Sequence, residues 1–120
     1  MTPFAGWSAH VHRHAAADRR AVVTREQSWS WTELLERAGG AAALIDGLAV
    51  PPGTPLPGLV DDVPGATALL LAGSSRGRPY APLGTRLTAA ELAAIVTALE
   101  APVLLTDPAH AGLAAAVAER

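Results

Sequence analysis

TAAELAAIVTALEAPVLLTDP, residues Thr88 to Pro108, passes from one helix through a strand to the start of another. Thr88 and Glu91 have capping-box spacing, in which hydroxyl and carboxylate each satisfy a backbone N–H left free at a helix start. Leu92, Ile95, Val96 and Leu99 follow at the helical interval and give that helix one apolar face. Ala101 to Thr106 is then short and apolar, as suits a strand of the buried type. Asp107-Pro108 supplies an N-cap followed by proline at the first helical position, where the missing N–H is no loss, and launches a last helix to about Glu119. Helices and strands alternating in this way favour a parallel sheet covered by helices.

The alternation extends upstream. Pro79 to Leu83 reads as a short strand, and the helix before it runs from Pro64 to about Ser74, with an apolar centre at Ala68 to Ala72 and Asp61 or Asp62 as its cap. Val50 to Gly58 (VPPGTPLPG) holds four prolines and two glycines, so 49–58 is expected to be a connector. Leu56 to Val60 is expected to be at most a weak or edge strand, because Pro57 and Gly58 disfavour a central position. Ser30 and Glu33 repeat the capping-box spacing, and Leu34, Ala38, Ala41, Ile45 and Leu48 form one apolar face on the helix that follows. Gly39 and Gly40 inside it each cost about 1 kcal/mol relative to alanine. Ala21 to Thr24 and Gln27 to Trp31 pair as a hairpin, and Ser8 to Ala17 reads as a first helix.

Composition narrows the function classes. A chain of 120 residues is one domain or a piece of one, able to bury roughly two thirds of its unfolded surface. Half of it is hydrophobic, its formal net charge is −2 and it contains no lysine, so no basic field points to nucleic acid or an anionic membrane. The absence of cysteine removes disulfides, thiol catalysis and cysteine metal sites. No apolar run approaches the ~18 residues of a membrane span and no signal-peptide core is present, which makes the cytoplasm the expected location. The abundance of alanine beside the missing lysine has the look of GC-rich bacterial coding.

Three constellations carry possible chemistry. His10, His12 and His14 would present three imidazoles to a metal from a strand, but on the expected helix His12 turns away from the other two, leaving a solvated face. Asp61 and Asp62, with Glu33, Glu36 and Asp46, are carboxylates; acid and base roles need two carboxyls in different environments, and helix capping accounts for the adjacent pair. Leu69 to Tyr80 (LLLAGSSRGRPY) has the small residues and arginines of an anion cradle. Its spacing fails, however: Gly73 and Gly77 are too close for a P-loop, no lysine follows, and the helix precedes the loop instead of following it. The helix end at this loop is its C-terminus, which repels anions and favours Arg76 and Arg78 as partners of its free carbonyls. No catalytic, cofactor-binding or metal-ligating residue is therefore assigned.

Read in order, SWTEL at Ser30–Leu34, VPPGT at Val50–Thr54, GRPYAPL at Gly77–Leu83, RLTAAEL at Arg86–Leu92 and VLLTD at Val103–Asp107 resemble the early motifs of the adenylate-forming (ANL) superfamily. That superfamily includes acyl-CoA synthetases, AMP-dependent ligases, nonribosomal peptide synthetase adenylation domains and luciferases. Thr54 stands where the family has an acidic residue, and Asp62 where asparagine is common. The resemblance implies an α/β fold, a three-layer parallel-type sheet flanked by helices with a short N-terminal hairpin, residues 1–120 being a single partial domain. It also implies an enzyme that uses ATP and Mg²⁺ to form an acyl-adenylate and passes the acyl group to CoA or a carrier protein. The family's phosphate loop with its lysine, aromatic-Thr-Glu segment, ribose-binding Asp and C-terminal lysine have no match in these 120 residues. The expected role is the N-terminal structural part of such a ligase, as a fragment or one half of a split enzyme. By itself this part binds no cofactor, and its partner is the remainder of the enzyme. The alternative is a standalone noncatalytic α/β interaction module; a small metal- or nucleotide-binding protein is a third class.

Overall fold

The structure, a computed structural model, describes residues 19–120. The first expected helix and the His10, His12 and His14 run lie outside the described residues. Strand β1 (Arg20–Val23) turns through Thr24–Gln27, where the Thr24 N–H donates to the Gln27 carbonyl at 2.7 Å, into β2 (Ser28–Ser30), giving an antiparallel hairpin. Ser30 then caps helix α1 (Trp31–Gly47) by accepting from the Glu33 N–H at 3.1 Å. The buried face of α1 is Leu34, Ala38, Ala42 and Ile45. Ala41 is only half-buried and Leu48 is exposed. Leu34, Ala38 and Ile45 of the expected stripe are thus buried, Ala42 takes the fully buried position expected of Ala41, and Leu48 falls past the helix as its C-cap. Gly39 and Gly40 are exposed, and an added Cβ meets nothing at either. Gly39→Ala is expected to stabilise the chain by about 1 kcal/mol, read as a higher urea midpoint with an unchanged slope.

Three parallel strands follow: β3 (Leu56–Leu59), β4 (Tyr80–Pro82) and β5 (Leu105–Thr106), in the order β4-β3-β5. This corrects two expectations. The connector ends before Leu56 instead of reaching Gly58, and LPGL is the buried centre of the sheet, not a weak edge. Register explains why proline is tolerated there. Leu56 donates to the Pro79 carbonyl and Gly58 accepts from Leu83, so these two serve β4. Pro57 turns its missing donor to the other side, where pairing with β5 begins only at Gly58. At Gly58 a Cβ would stand 2.6 Å from Tyr80 Oη; only glycine lets the Tyr80 ring lie across the central strand. The expected strand Ala101 to Thr106 shortens to its last two residues, because β3 offers β5 only Gly58 and Leu59 as partners.

Helix α2 (Val63–Ser75) is capped by Asp62, which accepts from the Gly65 N–H at 2.9 Å. Helix α3 (Ala89–Ala98) is capped by Thr88, whose hydroxyl accepts from the Glu91 N–H and donates to the Glu91 carboxylate. Asp107 caps a single 3₁₀ turn, Pro108–His110, which leads into α4 (Ala111–Ala118). Two apolar layers form around the sheet. On one face Ala42, Ile45 and Val50 pack with Leu56 and Ala72; on the other Leu59 packs with Leu92 and Val117. The chain is therefore an α/β three-layer structure, with α1 and α2 on one side of the sheet and α3 and α4 on the other.

Candidate functional site

In open parallel sheets, ligand chemistry gathers beyond the carboxyl ends of the strands. Here that end carries a linked set of side chains drawn from four segments. Asp107, just after β5, accepts from the His110 N–H (2.9 Å) and meets His110 Nδ1 (2.6 Å) through Oδ1, while its Oδ2 accepts from the Asp61 N–H at 3.1 Å. Asp61, after β3, accepts from the Thr85 hydroxyl at 2.9 Å and lies 3.3 Å from His110 Nε2. Both ring nitrogens of His110 thus lie beside carboxylate oxygens, Nδ1 beside Asp107 and Nε2 beside Asp61. Burial pushes the Asp107 carboxyl up. The hydrogen bonds from the His110 ring and from the Asp61 and His110 backbone outweigh it and hold the group below its usual value of 3.8.

This set ties together the ends of β3 and β5, the loop after β4 and the 3₁₀ turn. Among the described residues it contains no serine, cysteine or lysine nucleophile, and no group of three side chains is placed to hold a metal. The two adjacent aspartates divide as different environments require: Asp62 caps α2 while Asp61 joins the strand-end network. Glu33 meets Arg20 at 3.9 Å and Asp46 meets Arg76 at 3.1 Å, both at the exposed surface. Thr85 and His110 were not singled out by the sequence; only the spacing of His110 three residues beyond the capping Asp107 signals that the two side chains meet.

Above the strand ends a groove of about 720 Å³ opens between the hairpin, α1 and α2, with Trp29, Ala41, Leu44, Val60, Leu69 and Asp107 among its walls. Arg37 stacks on the Trp29 ring at its rim, 5.2 Å from the centroid.

The Gly/Arg loop after α2 lies at the opposite ends of the strands. Arg76 and Gly77 donate back to carbonyls of the last helical turn, and Gly77 takes φ +67°. Arg78 Nε donates to the Val50 carbonyl at 2.6 Å and its Nη1 to the Arg76 carbonyl at 2.8 Å. Gly53 closes the arrangement by donating to the Gly77 carbonyl at 2.8 Å. Both arginines are engaged with the protein itself.

Comparison with known proteins agrees with this architecture. The family model described as AMP-binding enzyme matches residues 8–120. The N-terminal domain of FACL13 from Mycobacterium tuberculosis superposes with a TM-score of 0.84 at 18% identity, covering 96% of this chain and 29% of that one. A benzoate CoA ligase from Burkholderia xenovorans gives 0.84 at 21% identity, covering 94% and 24%. MatB from Rhodopseudomonas palustris gives 0.73 at 29% identity, covering 85% and 21%. The chain thus spans a quarter or so of the length of these solved structures. No curated protein matches the sequence.

Proposed function

This chain belongs to the AMP-binding enzyme family, and on that premise we propose that it is the N-terminal, structural part of an ATP-dependent ligase that converts a carboxylic acid to its acyl-adenylate. The observation that carries the reading is one of extent. A family match running from residue 8 to 120 accompanies structural neighbours of which the chain covers only 21 to 29%. Two neighbours add detail: MatB was solved with ATP bound, and the Burkholderia protein is a benzoate CoA ligase. Adenylation needs cationic groups on the triphosphate and a held magnesium ion. The chain has no lysine, its arginines Arg76 and Arg78 are spent on helix and connector, and its described residues offer no metal-binding group. We therefore place ATP, Mg²⁺, the acid and the thiol acceptor (CoA or a carrier protein) on the remainder of the enzyme, in the same or a complementary polypeptide, and the whole in the cytoplasm.

Two hydrophobic clusters, one on each face of the sheet, favour a second reading, a noncatalytic interaction module of the same fold. The readings separate in one assay. Alone, the chain is expected to catalyse no ATP–pyrophosphate exchange; joined to or mixed with the remainder, it restores acid-dependent exchange. Exchange by the isolated chain, or none after reconstitution, refutes the ligase reading.

A further inference from the structure

We infer that His110 is a proton-operated latch, which ties the loop after β4 to the 3₁₀ turn when its ring carries two protons and releases that loop when the ring carries one. The geometry of the two ring nitrogens carries this, independently of the ligase reading. Nδ1 stands 2.6 Å from Asp107 Oδ1, and Nε2 stands 3.3 Å from Asp61 Oδ2. A carboxylate oxygen can only accept, so each contact is attractive only with a proton on the nitrogen that makes it. A neutral ring has one proton to place. It belongs on Nδ1, because two lone pairs cannot face each other at 2.6 Å, and the longer contact to Asp61 is then left without a donor. There the Nε2 lone pair meets a negative oxygen, and the Asp61 side chain is free to turn to water: it is 62% exposed, against 17% for that of Asp107.

The surroundings give this contact its consequence. Asp61 accepts from the Thr85 hydroxyl at 2.9 Å, so the polar link from the loop after β4 to the 3₁₀ turn runs through Asp61 and the ring. The tie between β3 and β5 does not, since the Asp61 N–H donates to Asp107 Oδ2 whatever the ring carries. The latch thus frees a loop against a sheet that stays closed. The charged groups facing the ring are the two carboxylates, Asp107 from its own turn and Asp61 from the end of β3. Against them stands the N-terminus of α4, which begins at His110 and whose positive end disfavours a second ring proton. From β4, Tyr80 feels the Asp107 charge, but burial and that charge both push its hydroxyl up, so it stays neutral. Arg86, next to Thr85, is exposed and makes no ion pair among the described residues.

Two measurements test the latch across ~pH 5–8, the range in which histidine side chains change charge. In nitrogen NMR of the 120-residue chain, His110 Nδ1 is expected to keep its proton throughout, and Nε2 to lose its own as pH rises. The sign for stability follows. The contact to Asp61 exists only with the second proton, so its contribution is present at the acid end and lost towards the alkaline end. Between the two ends the wild-type Tm is expected to fall by about 2–5 °C more than that of Asp61→Asn, as for one partly exposed ion pair. In Asp61→Asn the amide can donate to the bare Nε2 while its oxygen still accepts from Thr85, so that variant holds the loop when the ring is neutral. Both proteins carry His10, His12 and His14, so the difference between them isolates His110. Loss of the Nδ1 proton before that of Nε2, or equal pH dependence of the two Tm curves, overturns the inference. Neither result depends on ATP–pyrophosphate exchange, so the ligase reading stands or falls separately.

Discussion

Gly73→Ala is expected to destabilise the chain by more than about 3 kcal/mol, because the new methyl group would meet backbone and not a side chain that can move aside. At Gly73 the chain leaving α2 doubles back on the helix. The Arg78 N–H donates to the Gly73 carbonyl at 2.9 Å, and a Cβ would overlap the Arg78 carbonyl oxygen and stand 3.0 Å from the Tyr80 nitrogen. Relief requires α2 to separate from β4 at the point where Tyr80 enters the sheet beside Leu56. For a domain of this size the loss corresponds to a fall in Tm of roughly 12–20 °C. Gly77→Ala is the control. That residue has φ +67° but nothing near its absent Cβ, so it should lose only about 1 kcal/mol through backbone strain. Equal melting of the two variants would show that the close approach at Gly73 does not exist.

Features that depend on neighbours in sequence were legible. The caps at Ser30, Asp62, Thr88 and Asp107 each accept from a backbone N–H three residues on, since the geometry of a helix start is fixed within one turn. Features that depend on which strand lies alongside were not. Pro57 and Gly58 argue against a central strand on propensity. They are accommodated because β5 begins its pairing one residue later and because Tyr80, arriving from β4, needs the space a side chain would take. Neither fact exists until the sheet is assembled. The same holds for Asp61 and its partners Thr85 and Asp107, which lie 24 and 46 residues away in sequence. The capping reading of the adjacent pair holds for Asp62 alone, while Asp61 joins the strand-end network. The Gly/Arg loop was read from the dipole at the end of α2, a local property; in the structure Arg78 donates to the Val50 and Arg76 carbonyls, and Arg76 pairs with the Asp46 carboxylate.

Asp107 is where local and distant structure meet, and two substitutions separate its contributions. Asp107→Ala removes the cap of the 3₁₀ turn, the acceptor for the Asp61 N–H and the partner of His110 Nδ1 together. The expected result at neutral pH is a fall in Tm of roughly 8–15 °C, as for loss of a cap and two further hydrogen bonds. Asp107→Asn keeps an oxygen for the cap and loses the charge, so its drop should be about half as large. The pH dependence fixes the sign. The carboxyl of Asp107 lies below 3.8 in the folded chain because the carboxylate form receives hydrogen bonds from His110 and Asp61. The unfolded chain therefore binds its proton first as pH falls, and the stabilisation is fully present above pH 3.8 and is lost as pH drops through the folded value. Wild-type stability should fall more steeply below pH 4 than that of Asp107→Asn, and the two urea midpoints should converge there. Curves that stay parallel down to pH 2.5 would mean that the charge on Asp107 plays no part in holding the strand ends together.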